Sequence, residues 1–331
     1  MSRLSKLNFD TFRRRETFWI FLLFVLLTIL AARNIIFELD NVILGDDNDA
    51  YISIWANWWT ARAWSQSEIS FWQTEMIFAP TGADLTFHSF SHLNTVVTLI
   101  LQQFLRQLPA HNLTILLNYA LAGLSMFQLA KYDTNSTMAG ILAGIVFAYN
   151  SQNLYQSTHP NFVSVWCFPW ITLFYLRAMR ESNIKYALVA AFFVLLGAAS
   201  STVLIILMIS WLTLLTVYLL VSKTTPYASL KTTFVFAGAC GISILPFTWP
   251  LLSSAISSGN STYLIDPNNS INTDIFSIFV PHWYTWLNRS MYLGIVPFYL
   301  ALIAFGQQRK NAKLWFILIL VTFLFAIGPV P

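Results

Sequence analysis

Charge is the scarcest thing in this chain. Asp, Glu, Lys and Arg make up 10% of its 331 residues, against 56% for the hydrophobic types. A soluble domain carries far more charge than this, so a water-soluble globular core is excluded. Cysteine is nearly absent. Cys167 and Cys240 sit far apart in apolar runs, where they read as packing residues and say nothing about redox compartment. There is no Walker loop, no dinucleotide-binding Gly motif, no G-x-S-x-G and no Cys/His metal spacing. The net charge of +4 is small and gathers on one side of the expected topology, leaving no nucleic-acid footprint. No cleavable signal peptide is evident: Arg13, Arg14 and Arg15 precede an apolar run too long for one and without an A-x-A-like exit.

What the chain has is long apolar runs, 13 Trp and 28 Phe, with a mean hydropathy of +0.61. Phe18 to Ala32, Ile115 to Ala130, Ala187 to Leu220 and Leu314 to Ile327 reach or approach the ~20 residues needed to cross a bilayer. The expected fold is an all-α polytopic integral membrane protein of about nine transmembrane helices. Residues 1–17 form a cytoplasmic N-terminus and 18–37 the first span. Residues 38–112 form a long extracytoplasmic loop with two interfacial helices, Asp49 to Ser65 and His92 to Leu108. Residues 113–331 form a bundle of about eight more spans, including Met138 to Tyr149 and a Thr232 to Leu252 span bent by Pro246 and Pro250. The ending at Gly328-Pro329-Val330-Pro331, with no polar tail, reads as that of a fragment.

Charge orients this arrangement. All Lys and Arg except Arg33, Arg62, Arg106 and Arg289 fall on the side of the N-terminus, which the positive-inside rule assigns to the cytoplasm. The acids do the reverse: all but Asp10, Glu16, Asp133 and Glu181 lie on the other side.

The motif around which the chain is organised is Gly45-Asp46-Asp47-Asn48-Asp49-Ala50-Tyr51. Three carboxylates this close repel one another, which suits a general base or an anchor for a divalent metal such as Mg or Mn. The alternative is a solvated turn in which Asp49 only caps the following helix. On that helix Tyr51, Trp55, Trp58 and Trp59 recur at helical spacing, so it is expected to lie at the membrane surface with its rings down. His88 and His92 follow a Pro80–Gly82 turn and could ligate metal or bond phosphate, or serve as interfacial anchors. A second outer loop, Asn150 to Ser164, offers His159 and Asn161, pinned by Pro160, as donors to a phosphate or sugar hydroxyl. Arg289 could clamp an anionic head group or merely snorkel to lipid phosphate, and Arg62 has the same two readings.

Four stretches together resemble the membrane-embedded C-type (GT-C) glycosyltransferases, and more closely the prokaryotic polytopic proteins labelled YfhO-like or glycosyltransferase-39-like. They are Gly45-Asp46 with Asp49-Ala50-Tyr51, Trp55, Trp58 and Trp59; Pro80-Thr81-Gly82 with Leu85 and His88; His159-Pro160-Asn161 with Trp166 and Pro169; and Tyr292-Leu293-Gly294 with Pro297. The resemblance implies a prokaryotic plasma-membrane enzyme that moves a sugar from a polyprenyl-phosphate carrier to a glycan, lipid or protein acceptor at the extracytoplasmic face. Asp46 or Asp49, with Asp47 beside them, would supply the base. His88, His159, Asn161, Arg289 and Trp55 would contact substrate. The chain departs from the pattern in having no basic residue in the second outer loop and no C-terminal portion of the usual length. Rival readings are a lipid flippase or transporter, disfavoured because the charges sit at span ends, and a non-catalytic partner in surface-polysaccharide assembly.

Overall fold

The computed structural model describes residues 3–45, 48–222, 229–257, 295–306 and 312–327. They are mostly helical. In chain order the helices are α1 (Arg3–Ala31), α2 (Asn48–Ser65), α3 (His92–Leu101), α4 (Gln107–Thr134), α5 (Thr137–Ala148), the short α6 (Ser151–Tyr155) and α7 (Pro160–Val163), α8 (Cys167–Glu181), α9 (Ile184–Ser200), α10 (Thr202–Val221), α11 (Ser229–Ser257), α12 (Ile295–Gly306) and α13 (Ala312–Ile327). Between α2 and α3 a two-residue antiparallel ribbon pairs β1 (Gln73–Thr74) with β2 (Ala83–Asp84).

Local chemistry sets the helix ends. Ser136 and Asn183 cap α5 and α9 by accepting from the backbone N–H of Ala139 and Lys185, and Ser201 caps α10 through Val203. Asn135 and Ser182 stop α4 and α8 in the left-handed region, at φ 54° and 48°.

Among the described residues, four helical stretches are long and apolar enough to cross a membrane: Gln107–Thr134, Pro160–Glu181, Thr202–Val221 and Leu230–Ser254. Several other apolar helices are shorter, among them α3, α5 and α9. The Met138 to Tyr149 run, expected as a span, is a helix of 12 residues, about 18 Å at 1.5 Å per residue against a hydrocarbon layer of about 30 Å. The first apolar run also outlasts its helix. Past Ala31 the chain turns, and Ile35, Ile36 and Leu39 fold back onto Leu44, Ile115 and Val163. Those side chains fasten a loop to α4 instead of lengthening α1. The expected His92 to Leu108 helix likewise ends at Leu101. Its polar residues Asn94, Thr95 and Thr98 are buried while Val96 and Ile100 are exposed, an inversion suited to a helix with apolar surroundings outside and polar partners inside.

The bundle has two chemically distinct ends. At one, Glu16 pairs with Lys131 and accepts from the Thr137 hydroxyl at 3.2 Å. There too Trp315 Nε1 donates to Asp133 Oδ2 at 2.7 Å, with Arg180 at 3.9 Å from the same carboxylate, and the Arg177 guanidinium lies 3.9 Å over the Tyr186 ring. These contacts tie α1, α4, α5, α8, α9 and α13 together at a single basic end. The opposite end carries the 32–45 loop, α2, the ribbon and the 150–166 segment.

Phe24 locks the first helices together. Its ring is fully buried, and a Cβ on either Gly123 or Gly144 would overlap it. Close approach of α1, α4 and α5 therefore requires glycine at both positions. Gly123→Ala is expected to lower the melting temperature in detergent by several degrees, and Phe24→Leu to restore part of that loss in the double variant. Additive effects of the two changes would contradict this interlock.

Candidate functional site

The loop leading to the acidic motif is held by one buried amide. Asn112, near the start of α4, accepts from the Leu44 N–H through Oδ1 at 2.9 Å. Its Nδ2 donates to the carbonyls of Leu39 at 3.0 Å and Val42 at 2.7 Å. Gly45 follows at φ +98°, and a Cβ there would come within 2.6 Å of Thr158 Oγ1 and 2.7 Å of Thr158 Cα. Both the backbone conformation and the lack of space demand glycine. The two loops that the sequence separates by more than a hundred residues thus touch at Gly45 and Thr158.

Four positions on from Gly45, at Asp49, the contact becomes polar. α2 begins at Asn48, and Asp49 lies in its first turn, where the N-terminal end of the helix dipole favours a carboxylate. Asp49 Oδ2 is 2.9 Å from His159 Nε2. His159 is placed by the short helical turns around it: its N–H bonds to the Gln156 carbonyl, its own carbonyl accepts from Phe162, and Pro160 opens α7 with a pre-set φ. The Asp49 side chain is 49% exposed, so the carboxylate is held on one oxygen yet open to an incoming group. With the proton on Nε2, His159 donates to Asp49 and fixes its orientation. His159 Nδ1 is buried and has no hydrogen-bond partner.

The remaining candidates are distributed around this pair. Asn161 is largely buried and faces a small polar chamber rather than open solvent. Trp55 stacks on Trp59 with ring centroids 5.8 Å apart and lies 5.6 Å from His88, which in turn sits 4.5 Å from Phe90. Burial lowers the pKa of His88, so its imidazole is neutral near pH 7 and offers no positive charge to a phosphate. His88 and His92 instead line a groove of about 350 Å³ with Trp64, Trp72, Phe90 and Phe247, closed on its far side by Pro246 and Pro250 of α11. Asp46, Asp47 and Arg289 lie outside the described residues. Among the described residues no group of three or more His, Cys, Asp or Glu is arranged to hold a metal. Asp49 and His159 alone fall short of the oxygen-rich set that Mg or Mn takes.

The expectation that the α2 rings share one face needs correction. At 100° per residue Tyr51 and Trp58 lie within about 20° of each other, whereas Trp59 is roughly 80° away. Tyr51 and Trp58 are exposed, with the Arg62 guanidinium 5.6 Å over the Trp58 ring, while Trp59 is buried and donates its Nε1 proton to the Phe71 carbonyl at 3.0 Å. The inner face of α2 is small and polar, with Ala50, Ala56, Asn57 and Thr60 all buried.

Sequence reasoning passed over the lattice beneath the site. Asn118 Oδ1 accepts from Ser164 Oγ at 2.9 Å and Trp166 Nε1 at 2.7 Å, and its Nδ2 donates to Asn94 Oδ1 at 2.9 Å. The Asn94 amide serves Ser91, Ser164, Ser200 and the Pro160 carbonyl. The available signal was Asn94, His111, Asn112 and Asn118 interrupting apolar stretches, since polar groups at such depth survive only with partners.

No protein-family model matches the chain, and no curated protein matches it in sequence.

The loop contact is directly testable. A Cβ at position 45 would meet the Thr158 backbone as well as its side chain, so Gly45→Ala is expected to lower the melting temperature in detergent by several degrees. A melting temperature unchanged from wild type would place the loops apart.

Proposed function

We propose that this chain is a polytopic membrane glycosyltransferase that moves a sugar from a polyprenyl-phosphate donor to an acceptor hydroxyl at the extracytoplasmic face, with Asp49 as general base. The observation that carries the reading is the Asp49–His159 contact at 2.9 Å. Two loops on the acid-rich end of the bundle converge to hold one carboxylate half open. Such convergence is what a positioned base requires.

In this scheme the acceptor O–H gives its proton to the free oxygen of Asp49 as its oxygen bonds to the anomeric carbon. The bond from that carbon to the carrier phosphate breaks, and the polyprenyl phosphate leaves with the electron pair. His159 acts as a positioning residue, since it touches Asp49 and not the reacting atoms. Asp46 and Asp47 are further candidates for the base within the same motif. The aromatic groove supports a lipid-linked donor: Trp, Phe and Pro make up much of its wall beside His88 and His92, Pro246 to Leu251 of α11 close one side, and the α11 surface is largely uncovered by the described residues. A greasy isoprenoid fits such a wall.

The topology that goes with this reading has about nine spans in a prokaryotic plasma membrane. Its N-terminus is cytoplasmic, by the positive-inside rule, and its Asp49 end is extracytoplasmic. The resemblance to GT-C enzymes points the same way.

Asp49→Asn is expected to leave membrane insertion intact and to cut transfer from a lipid-linked donor by about 10²–10⁴-fold. His159→Leu should also lose most activity, while His159→Gln, which keeps an N–H for the carboxylate, should recover much of it. Unimpaired transfer in Asp49→Asn would remove Asp49 as the base. Movement of labelled lipid in proteoliposomes without any sugar donor would point to a flippase instead.

A further inference from the structure

One turn along α2 from Asp49, and two residues after His159, the protein encloses a polar chamber of about 20 Å³, whose walls include Ser53, Asn57, Ser91, Thr95, His111 and Asn161. His111 is 1% exposed. Its Nδ1 lies 3.4 Å from Asn57 Nδ2, and Asn57 Oδ1 accepts from the Thr95 hydroxyl at 2.7 Å. In this arrangement the Asn57 NH₂ faces the ring. With the amide so placed, Nδ1 of His111 is the acceptor and the ring proton resides on Nε2. Nε2 is buried and has no hydrogen-bond partner in the protein. A buried N–H without an acceptor is costly enough that native structures almost always supply one.

We infer that the chamber is a binding site for a single water molecule that accepts from His111 Nε2–H. Three observations select this ligand. A cavity needs roughly 10–15 Å³ of water-accessible space and two to four polar partners to hold one water, and the chamber has about 20 Å³. The donor N–H requires an acceptor, which excludes a metal ion or an ammonium. The walls can also take the two protons that water brings: Ser53 Oγ spends its own proton on the Asp49 carbonyl at 3.1 Å and keeps its lone pairs, and Asn161, whose side chain carries an amide oxygen, is also in the wall. The bound water bridges α2, α4 and the turn after His159, so solvent forms part of the seat on which Asp49 and His159 rest. This site stands on the geometry of the chamber whether or not the chain transfers sugars.

The test is a high-resolution crystal structure of the full chain in lipid, grown with and without bromide. The expected result is one water-sized peak at hydrogen-bonding distance from His111 Nε2, unchanged and without anomalous signal in bromide. An anomalous peak there would make the ligand an anion. An empty chamber, or Nε2 donating directly to a protein oxygen, would also overturn the proposal. A pair of variants gives a second readout. His111→Gln supplies a carbonyl to Asn57 and an N–H to the water, so it should keep the peak and melt near wild type. His111→Leu should lose the peak and melt several degrees lower, and a His111→Leu protein as stable as His111→Gln would contradict the assignment. Should His111→Leu fail to fold, the wild-type map still decides.

Discussion

A polar group shut away from water has to find its partner inside the protein, and in this apolar chain that constraint places nearly everything at the acid-rich end. Asn112 gathers the carbonyls and N–H of the 39–44 loop. Asn94 and Asn118 bond to each other and, between them, to Ser91, the Pro160 carbonyl, Ser164, Trp166 and Ser200. The two protons of the Asn94 amide are shared among four oxygens, so its neighbours are drawn in from α3, α7 and α9 at once. Directional bonds of this kind fix register in a way that interchangeable Leu and Phe contacts do not. With α3, α4 and the 160–164 turn so fixed, Gly45 meets Thr158 and Asp49 meets His159.

The segment from Thr86 to His92 divides this end into two environments. Thr86, His88, Phe90 and His92 line the aromatic groove, while Ser89 and Ser91 line the polar chamber. The two sets of side chains alternate along a turning segment, and the alternation makes one strip of backbone the wall between the aromatic groove and the polar chamber. α3 repeats the theme as a helix, with Asn94, Thr95 and Thr98 turned in and Val96 and Ile100 turned out. Amphipathicity is inverted relative to a soluble protein, which is how a chain with 10% charged residues keeps its few polar groups working together.

Much of the helical outline was legible from residue spacing. α2, α5, α9, α10 and α13 fall within a few residues of the runs that announced them, and Ser or Asn marks the start of α5, α9 and α10. The failures have a common cause. Hydropathy counts apolar residues without knowing what covers them, so Ile35 and Ile36 were assigned to a span when they pack a loop, and Leu105 and Leu108 to a helix that stops at Leu101. At the site, His159 and Asp49 were each visible as candidates, but their contact spans 110 positions and follows from tertiary packing alone. His111 stayed hidden because a single histidine in an apolar stretch gives no sign of its partners until Asn57 and Thr95 arrive beside it.

The whole account rests on Asp49 standing beyond the lipid on the side opposite the N-terminus, within reach of His159. A cysteine placed at position 49 in intact cells, treated with a membrane-impermeant thiol reagent, measures this directly. The account predicts rapid labelling from outside the cell, slowed when a polyprenyl-phosphate sugar is supplied. Labelling only after the membrane is opened would put the carboxylate on the cytoplasmic side and contradict it.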